Sequence, residues 1–338
     1  MGYKAEVAMQ NGLDEEERAA FAADVKAGLG APRKVLPPRY FYDALGSQLF
    51  EAICQLPYYP ITRAENRLLD RFAAEMTASL GPVAELVELG SGSGEKMARL
   101  ARPLIDRSPG PLDIHLVDIS AKALDLGRAA LASLSGACVI GHRTSYEAGL
   151  QALAADHPRS TQGAPPHPRR GARLLCFLGS NIGNFDPPAA AALLSAIRGA
   201  LRPGDGLLLG ADLVRDEASL VLAYDDPLGV TAAFNKNVLL RINTELGGDF
   251  ALDTFAHRAV WAPAASRVEM HLVSRRPQAV RVAAAGIVVP FAEGETIWTE
   301  SSYKHTAEGL AAMGARAGLA CRRQWVDDGF AATLFVVE

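Results

Sequence analysis

Three glycines at alternate positions, Gly90, Gly92 and Gly94, punctuate the stretch Leu86–Arg99 (LVELGSGSGEKMAR), where an apolar run gives way to helix formers. A glycine-rich turn between a strand and a helix lets backbone approach a ligand closely, and the helix N-terminus favours polar or anionic groups. Dinucleotide folds use this device as GxGxxG, in which the third glycine packs the helix against the strand. Here that position falls on Glu95 when counted from Gly90 and on Met97 when counted from Gly92, so a dinucleotide oxidoreductase is disfavoured. Two acids flank the turn in sequence: Glu88 just before it, and Asp118 at the end of the next apolar segment (HLVDIS).

The elements that would hold these residues alternate from residue 83 onward. Strand patterns at 83–90, 112–120, 137–143, 172–185 (an apolar strand running into a turn) and 205–213 are separated by helix patterns at 95–105, 121–134 and 188–201. This βαβα order predicts an α/β fold with a mostly parallel sheet and helices on both faces. A proline- and arginine-rich interruption, 157–171, reads as a surface loop. Beyond 215 the texture changes to helix over 219–246, broken around Asp225–Gly229, followed by antiparallel strand patterns over 257–276 and 278–291. A last helix (306–319) and two strands would complete the main sheet. The expected organisation is a ligand-binding α/β domain (64–214 and 303–338) and a second α+β lobe (1–63 and 215–302).

Composition narrows the function classes. A chain of 338 residues with 49% hydrophobic content can bury a large core, which suits a soluble enzyme. The net charge of −4 is small and the basic residues are scattered, so no nucleic-acid partner is expected. No segment reaches the roughly 18 consecutive apolar residues that span a bilayer, so no membrane association is expected and a cytoplasmic location is. Cys54, Cys138, Cys176 and Cys321 are too dispersed for a disulfide framework or metal knuckle and read as reduced core thiols; the histidines lack HxxxH spacing, so no metal is expected.

The pattern VELGSGSG followed by HLVDIS resembles the S-adenosylmethionine-binding signature of class I methyltransferases, which implies a Rossmann-like sheet and places Asp118 on the ribose hydroxyls. Five further segments extend the likeness: 37–65 (PPRYFYDALGSQLFEAICQLPYYPITRAE), 177–187 (FLGSNIGNFDP), 223–250 (AYDDPLGVTAAFNKNVLLRINTELGGDF), 266–274 (SRVEMHLVS) and 297–305 (IWTESSYKH). Together they resemble the histidine-specific methyltransferase family, over about residues 32–338. Bacterial members trimethylate the α-amino group of L-histidine to hercynine, the first step toward ergothioneine. The resemblance implies that Tyr59, Gly90, Lys96 and Asp118 contact the methyl donor, with Ser145 or Tyr146 of RTSYEAG beside the adenine. It places Tyr42, Asn184, Tyr224, Glu300 and Ser302 in the amino-acid pocket, Met270 along its wall, and Tyr42 and Asn184 on the reacting amine.

The residue types suit those roles. Asn184 would follow the carboxyl end of a parallel strand, where open α/β sheets bind ligands, and its amide can both donate and accept. Glu300 and Ser302, two apart in a strand, would point to one face and grip the imidazole nitrogens. The chain departs from the family at Asn181, where a threonine is common, and in the 157–171 insertion. Competing readings are N-methylation of another amine, such as a tryptophan-derived one, and a binding module that has lost catalysis. A monomer is expected.

Overall fold

The computed structural model describes residues 14–107, 110–155 and 171–338; the 157–171 insertion, apart from Gly171, lies outside the described residues. The chain divides into two compact units, one built from the chain up to Tyr59 with Asp216–Ser302, the other from Pro60–Arg215 with Tyr303–Glu338.

The first unit begins with α1 (Glu15–Gly30), started by a capping box in which Asp14 and Glu17 exchange side-chain-to-backbone hydrogen bonds. Its sheet has the order β1 (Lys34–Val35), β11 (Thr296–Tyr303), β8 (Arg267–Ser274), β7 (Phe255–Ala262). Strands β7 and β8 pair antiparallel from Phe255↔Ser274 to Ala262↔Arg267, whereas β1 joins β11 in parallel. A separate hairpin pairs β9 (Gln278–Val282) with β10 (Ile287–Phe291). The helices are α2 (Ala44–Gln55), α8 (Glu217–Leu222) and α9 (Val230–Leu246). The expected break at Asp225–Gly229 separates α8 from α9, and Asp226 explains the restart: its carboxylate accepts the Val230 and Thr231 N–H groups at 3.1 and 2.7 Å.

The second unit is a seven-stranded sheet in the order β12 (Ala320–Asp327), β13 (Phe330–Val336), β6 (Gly206–Asp212), β5 (Ala172–Phe177), β2 (Val83–Leu89), β3 (Leu112–Asp118), β4 (Ala137–Arg143). The five strands from β6 to β4 run parallel, and β13 and β12 add antiparallel at the edge. Helices α3 (Pro60–Ala78), α4 (Glu95–Ile105), α5 (Ala121–Leu131), α6 (Tyr146–Ala155), α7 (Pro187–Gly199) and α10 (Ala307–Arg316) alternate with these strands. Burial on both faces explains the continuous apolar runs: every residue of β6 is buried, and fully burying each of its leucines contributes about 1.5–3 kcal/mol. The strand order reverses between β2 and β5. Segments leaving the carboxyl ends of these two neighbours therefore meet at the crevice where open sheets take ligands.

The cysteine expectation needs correction. Among the four, all free thiols, only Cys176 in central β5 is fully buried; Cys138 and Cys321 are exposed because they sit on edge strands β4 and β12, and Cys54 is half-buried.

Candidate active site

In the second unit the turn after β2 is built by backbone that only glycine adopts readily. Gly90 has φ of +78°, and a Cβ there would stand 2.7 Å from the Tyr146 hydroxyl and 3.1 Å from Asn181 Nδ2. Gly94, at φ +74°, precedes α4, and a Cβ on it would stand 2.6 Å from the Gly127 Cα of α5. The Gly90 N–H donates to the Val117 carbonyl at 2.8 Å, joining the turn to the end of β3.

Asp118 ends β3, where its Oδ1 accepts the Ser120 N–H at 2.8 Å and its carbonyl accepts the Thr144 N–H at 3.1 Å. Its carboxylate orientation is thus fixed by the start of α5. Ser145 is exposed and its Oγ accepts the Ala148 N–H at 3.3 Å in the first turn of α6. Tyr146, half-buried, sets its ring edge-on to Phe177 at 5.5 Å, and burial raises its phenol, with Asp118 and Glu88 adding to the effect.

Lys96, expected at the donor, reaches Glu65, a residue that sequence reasoning did not single out. Glu65 is 1% exposed, and its other oxygen accepts the Gly179 N–H at 2.7 Å. It therefore ties α3 to α4 and to the segment leaving β5. That segment carries Ser180, at φ +59°, whose Oγ accepts the Asp212 N–H at 2.9 Å, and then the short helical turn Asn181–Asn184. Asn184 is exposed at the end of this turn. Asp212, at the carboxyl end of β6, is fully buried against Lys304 Nζ at 2.8 Å and Arg215 Nη1 at 3.2 Å. The signals for these groups were present as a Glu closing PITRAE and a Lys closing TESSYK, but neither segment names its partner.

Two buried acceptors beside the turn suit a polar, positively charged ligand. Glu88 Oε2 and Ser91 Oγ are buried and have no hydrogen-bond partner among the described residues. Burial pushes the Glu88 carboxyl well above the usual carboxylate range; Lys96 opposes that rise, and Glu65 and Asp118 reinforce it. A donor carrying an ammonium and a sulfonium fits this arrangement, since it would satisfy a carboxylate that the fold has desolvated.

In the first unit the acceptor candidates form a connected row. Tyr224 donates its hydroxyl to Ser302 Oγ at 2.8 Å, with both residues buried. Tyr59, expected among the donor contacts, sets its ring edge-on to Tyr224 at 6.2 Å and to Phe50 at 6.5 Å. Phe50 and Phe234 in turn meet the Tyr42 ring at 5.7 and 5.6 Å. Phe50 and Phe234 were not among the expected residues, because an apolar residue within a helix carries no local mark of a place beside a binding site. Tyr42 remains 43% exposed. Glu300 lies two residues before Ser302 on β11, half-buried, and its backbone carbonyl accepts the Trp298 indole N–H at 2.8 Å. Met270 on β8 is buried, and its carbonyl accepts the Thr299 hydroxyl at 3.0 Å.

A doubly flanked parallel sheet with a glycine turn at its reversal point and an aspartate ending the next strand is the architecture of a class I S-adenosylmethionine-dependent methyltransferase. The profile of the family described as "Histidine-specific methyltransferase, SAM-dependent" matches residues 21–338, and the chain belongs to that family. It is 43% identical over 312 residues to the histidine N-alpha-methyltransferase of Mycolicibacterium smegmatis, covering 91% of each chain. With the histidine N-alpha-methyltransferase of Mycobacterium tuberculosis it shares 42% identity over 327 residues, 95% of this chain and 96% of the other. Ergothioneine biosynthesis protein 1 of Neurospora crassa is 28% identical over 82% of this chain and 32% of its own. Among the described residues no helix is long and apolar enough to cross a membrane, and no group of three or more His, Cys, Asp or Glu side chains could hold a metal ion.

Proposed function

We propose that this chain trimethylates the α-amino group of L-histidine to hercynine, in ergothioneine biosynthesis, with S-adenosylmethionine as methyl donor and without a metal. The observation that carries the reading is the match to histidine N-alpha-methyltransferases over more than nine tenths of both chains. In this account the unit of Pro60–Arg215 and Tyr303–Glu338 supplies most residues that bind the donor, and the other unit most of those that bind the amino acid. Asp118 holds the ribose, Gly90 gives backbone access, Lys96 pairs with the donor carboxylate while Glu65 steadies it, Ser145 and Tyr146 flank the adenine, and Tyr59 completes the donor contacts.

When bound, the donor supplies a methyl group on an already electrophilic sulfonium, so the protein needs no nucleophile of its own. Its task is to present a neutral amine and keep water away, and proximity carries most of the acceleration. In each round the amine sheds a proton, an N–C bond forms and the S–C bond breaks. Asn184 and Tyr42 orient the amine, Met270 lines the ring pocket, and Tyr224 stands in the amino-acid pocket with its hydroxyl hydrogen committed to Ser302. Ser302, held by Tyr224, carries a hydroxyl that can donate, and Glu300 two residues earlier on the same strand carries a carboxylate that accepts. One donor and one acceptor match the two nitrogens of a neutral imidazole.

Calorimetry checks the reading. Adenosylhomocysteine should bind, and L-histidine should bind to that complex, while NADH and phenylalanine should not. Tight NADH binding without adenosylhomocysteine binding would refute it. The protein acts as a cytoplasmic monomer in this account, and sedimentation would report the second part.

A further inference from the structure

Strand β1 is two residues long, and the reason bears on Glu300. Val35 pairs with Trp298 in parallel register, and the Leu36 N–H donates to the Trp298 carbonyl at 2.9 Å. Continuing that ladder would bring the N–H of residue 38 to the Glu300 carbonyl. Residue 38 is proline, which has no N–H, and the chain turns at Pro38 into the short helix Pro38–Phe41. The vacated position is filled from the strand's own side chain, by the Trp298 indole N–H at 2.8 Å from the Glu300 oxygen.

The indole is itself firmly held. The Arg33 and Arg267 guanidiniums lie 4.2 and 4.5 Å from the ring centroid, and the His271 ring stacks at 6.4 Å with an interplanar angle of 22°. Glu269 ties the three together, accepting from Arg33 at 3.1 Å, Arg267 Nε at 2.9 Å and His271 at 3.0 Å. A tryptophan held by two guanidiniums and a stacked imidazole is a rigid donor, whereas a main-chain amide from a continued β1 would bring a whole strand over the Glu300 edge.

We infer that Trp298 is a positioning residue for histidine recognition, replacing the ladder bond that Pro38 cannot make and so fixing the backbone from which the Glu300 carboxylate projects. The inference rests on the reading of Glu300 as the partner of the imidazole. It assigns Arg33, Arg267, His271 and Glu269 to support of the indole rather than to substrate.

A double-mutant cycle tests it. Trp298→Phe keeps an aromatic ring beside the guanidiniums and removes the N–H. It should raise KM for histidine by about 2- to 10-fold, the effect of one neutral hydrogen bond, with kcat and adenosylhomocysteine affinity unchanged. If Trp298 acts through Glu300, the same change made on Glu300→Ala should add nothing. A normal KM in Trp298→Phe, or an equal loss on both backgrounds, would overturn the positioning role while leaving Glu300 as the imidazole partner. A Glu300→Ala enzyme with normal histidine kinetics would overturn both. Should Trp298→Phe not fold, nitrogen-15 indole spectra of the wild type decide. The protein has three tryptophans, and Trp261→Phe and Trp325→Phe identify the Trp298 signal by elimination. That signal should exchange slowly with solvent and shift when histidine joins the adenosylhomocysteine complex; fast exchange or no shift would overturn the inference.

Discussion

Tyr224 and Ser302, 78 positions apart in sequence, share a buried hydrogen bond of 2.8 Å in which the phenol donates to the serine oxygen. The bond makes Tyr224 a buried support for Ser302, which in the proposed reading faces the imidazole. Tyr224→Phe removes that support without opening a cavity. It should lower kcat/KM for histidine by about 3- to 10-fold, near 1 kcal/mol, with adenosylhomocysteine affinity unchanged; steady-state kinetics and calorimetry on the variant check both.

Asp118 is oriented by the Ser120 N–H at the start of α5, and in the proposed reading its carboxylate takes the two ribose hydroxyls. Asp118→Ala should weaken binding of adenosylmethionine and adenosylhomocysteine by about 1.5–3 kcal/mol, the range for a hydrogen bond to a charged group. Histidine binding should suffer less. Comparable losses for donor and acceptor would point to a folding role instead.

A site built to hydrogen-bond its substrate rejects an analogue lacking the group more strongly than an apolar pocket does. Glu300→Ala should therefore reduce kcat/KM for histidine by roughly 10- to 100-fold, while that for phenylalanine or tryptophan stays level or rises. Parallel kinetics on the three amino acids give the diagnostic ratio. Equal losses on all of them would remove Glu300 from imidazole recognition.

His305 follows the buried Lys304, and burial together with that charge holds its imidazole down at about 4 from the usual 6.5, with Asp212 opposing the shift. A depressed folded-state value means that the unfolded chain takes up the proton first. The stability due to a neutral His305 is present above pH 6.5 and is lost as pH falls through about 4. Thermal melts of His305→Gln should lose less stability than the wild type between those two values, and matching pH profiles would rule the effect out.

Much of the second unit could be read from sequence because its central strands β2, β3, β5 and β6 are apolar runs buried on both faces, with glycine turns at Gly90 and Gly179 after two of them. The alternation of strands and helices was enough to expect a parallel sheet. Long-range pairings were not legible. Nothing in PITRAE says that Glu65 takes both Lys96 and the Gly179 N–H, since local sequence carries no record of which distant charge fills a buried site. Strand β1 is too short, at two residues, to show a periodicity, and nothing local to Phe50 or Phe234 marks the ring contacts they make with Tyr42. Cys138 and Cys321 misled because a thiol's burial depends on whether its strand lies at the sheet edge, which the order of strands decides.

The most direct measurement is mass spectrometry of the purified protein's product from L-histidine and excess S-adenosylmethionine. The account predicts histidine bearing three methyl groups on its α-nitrogen as the end point, with one adenosylhomocysteine released per methyl transferred. An unmodified histidine, a methyl group on the ring, or accumulation of the monomethyl form alone at saturating donor would contradict it.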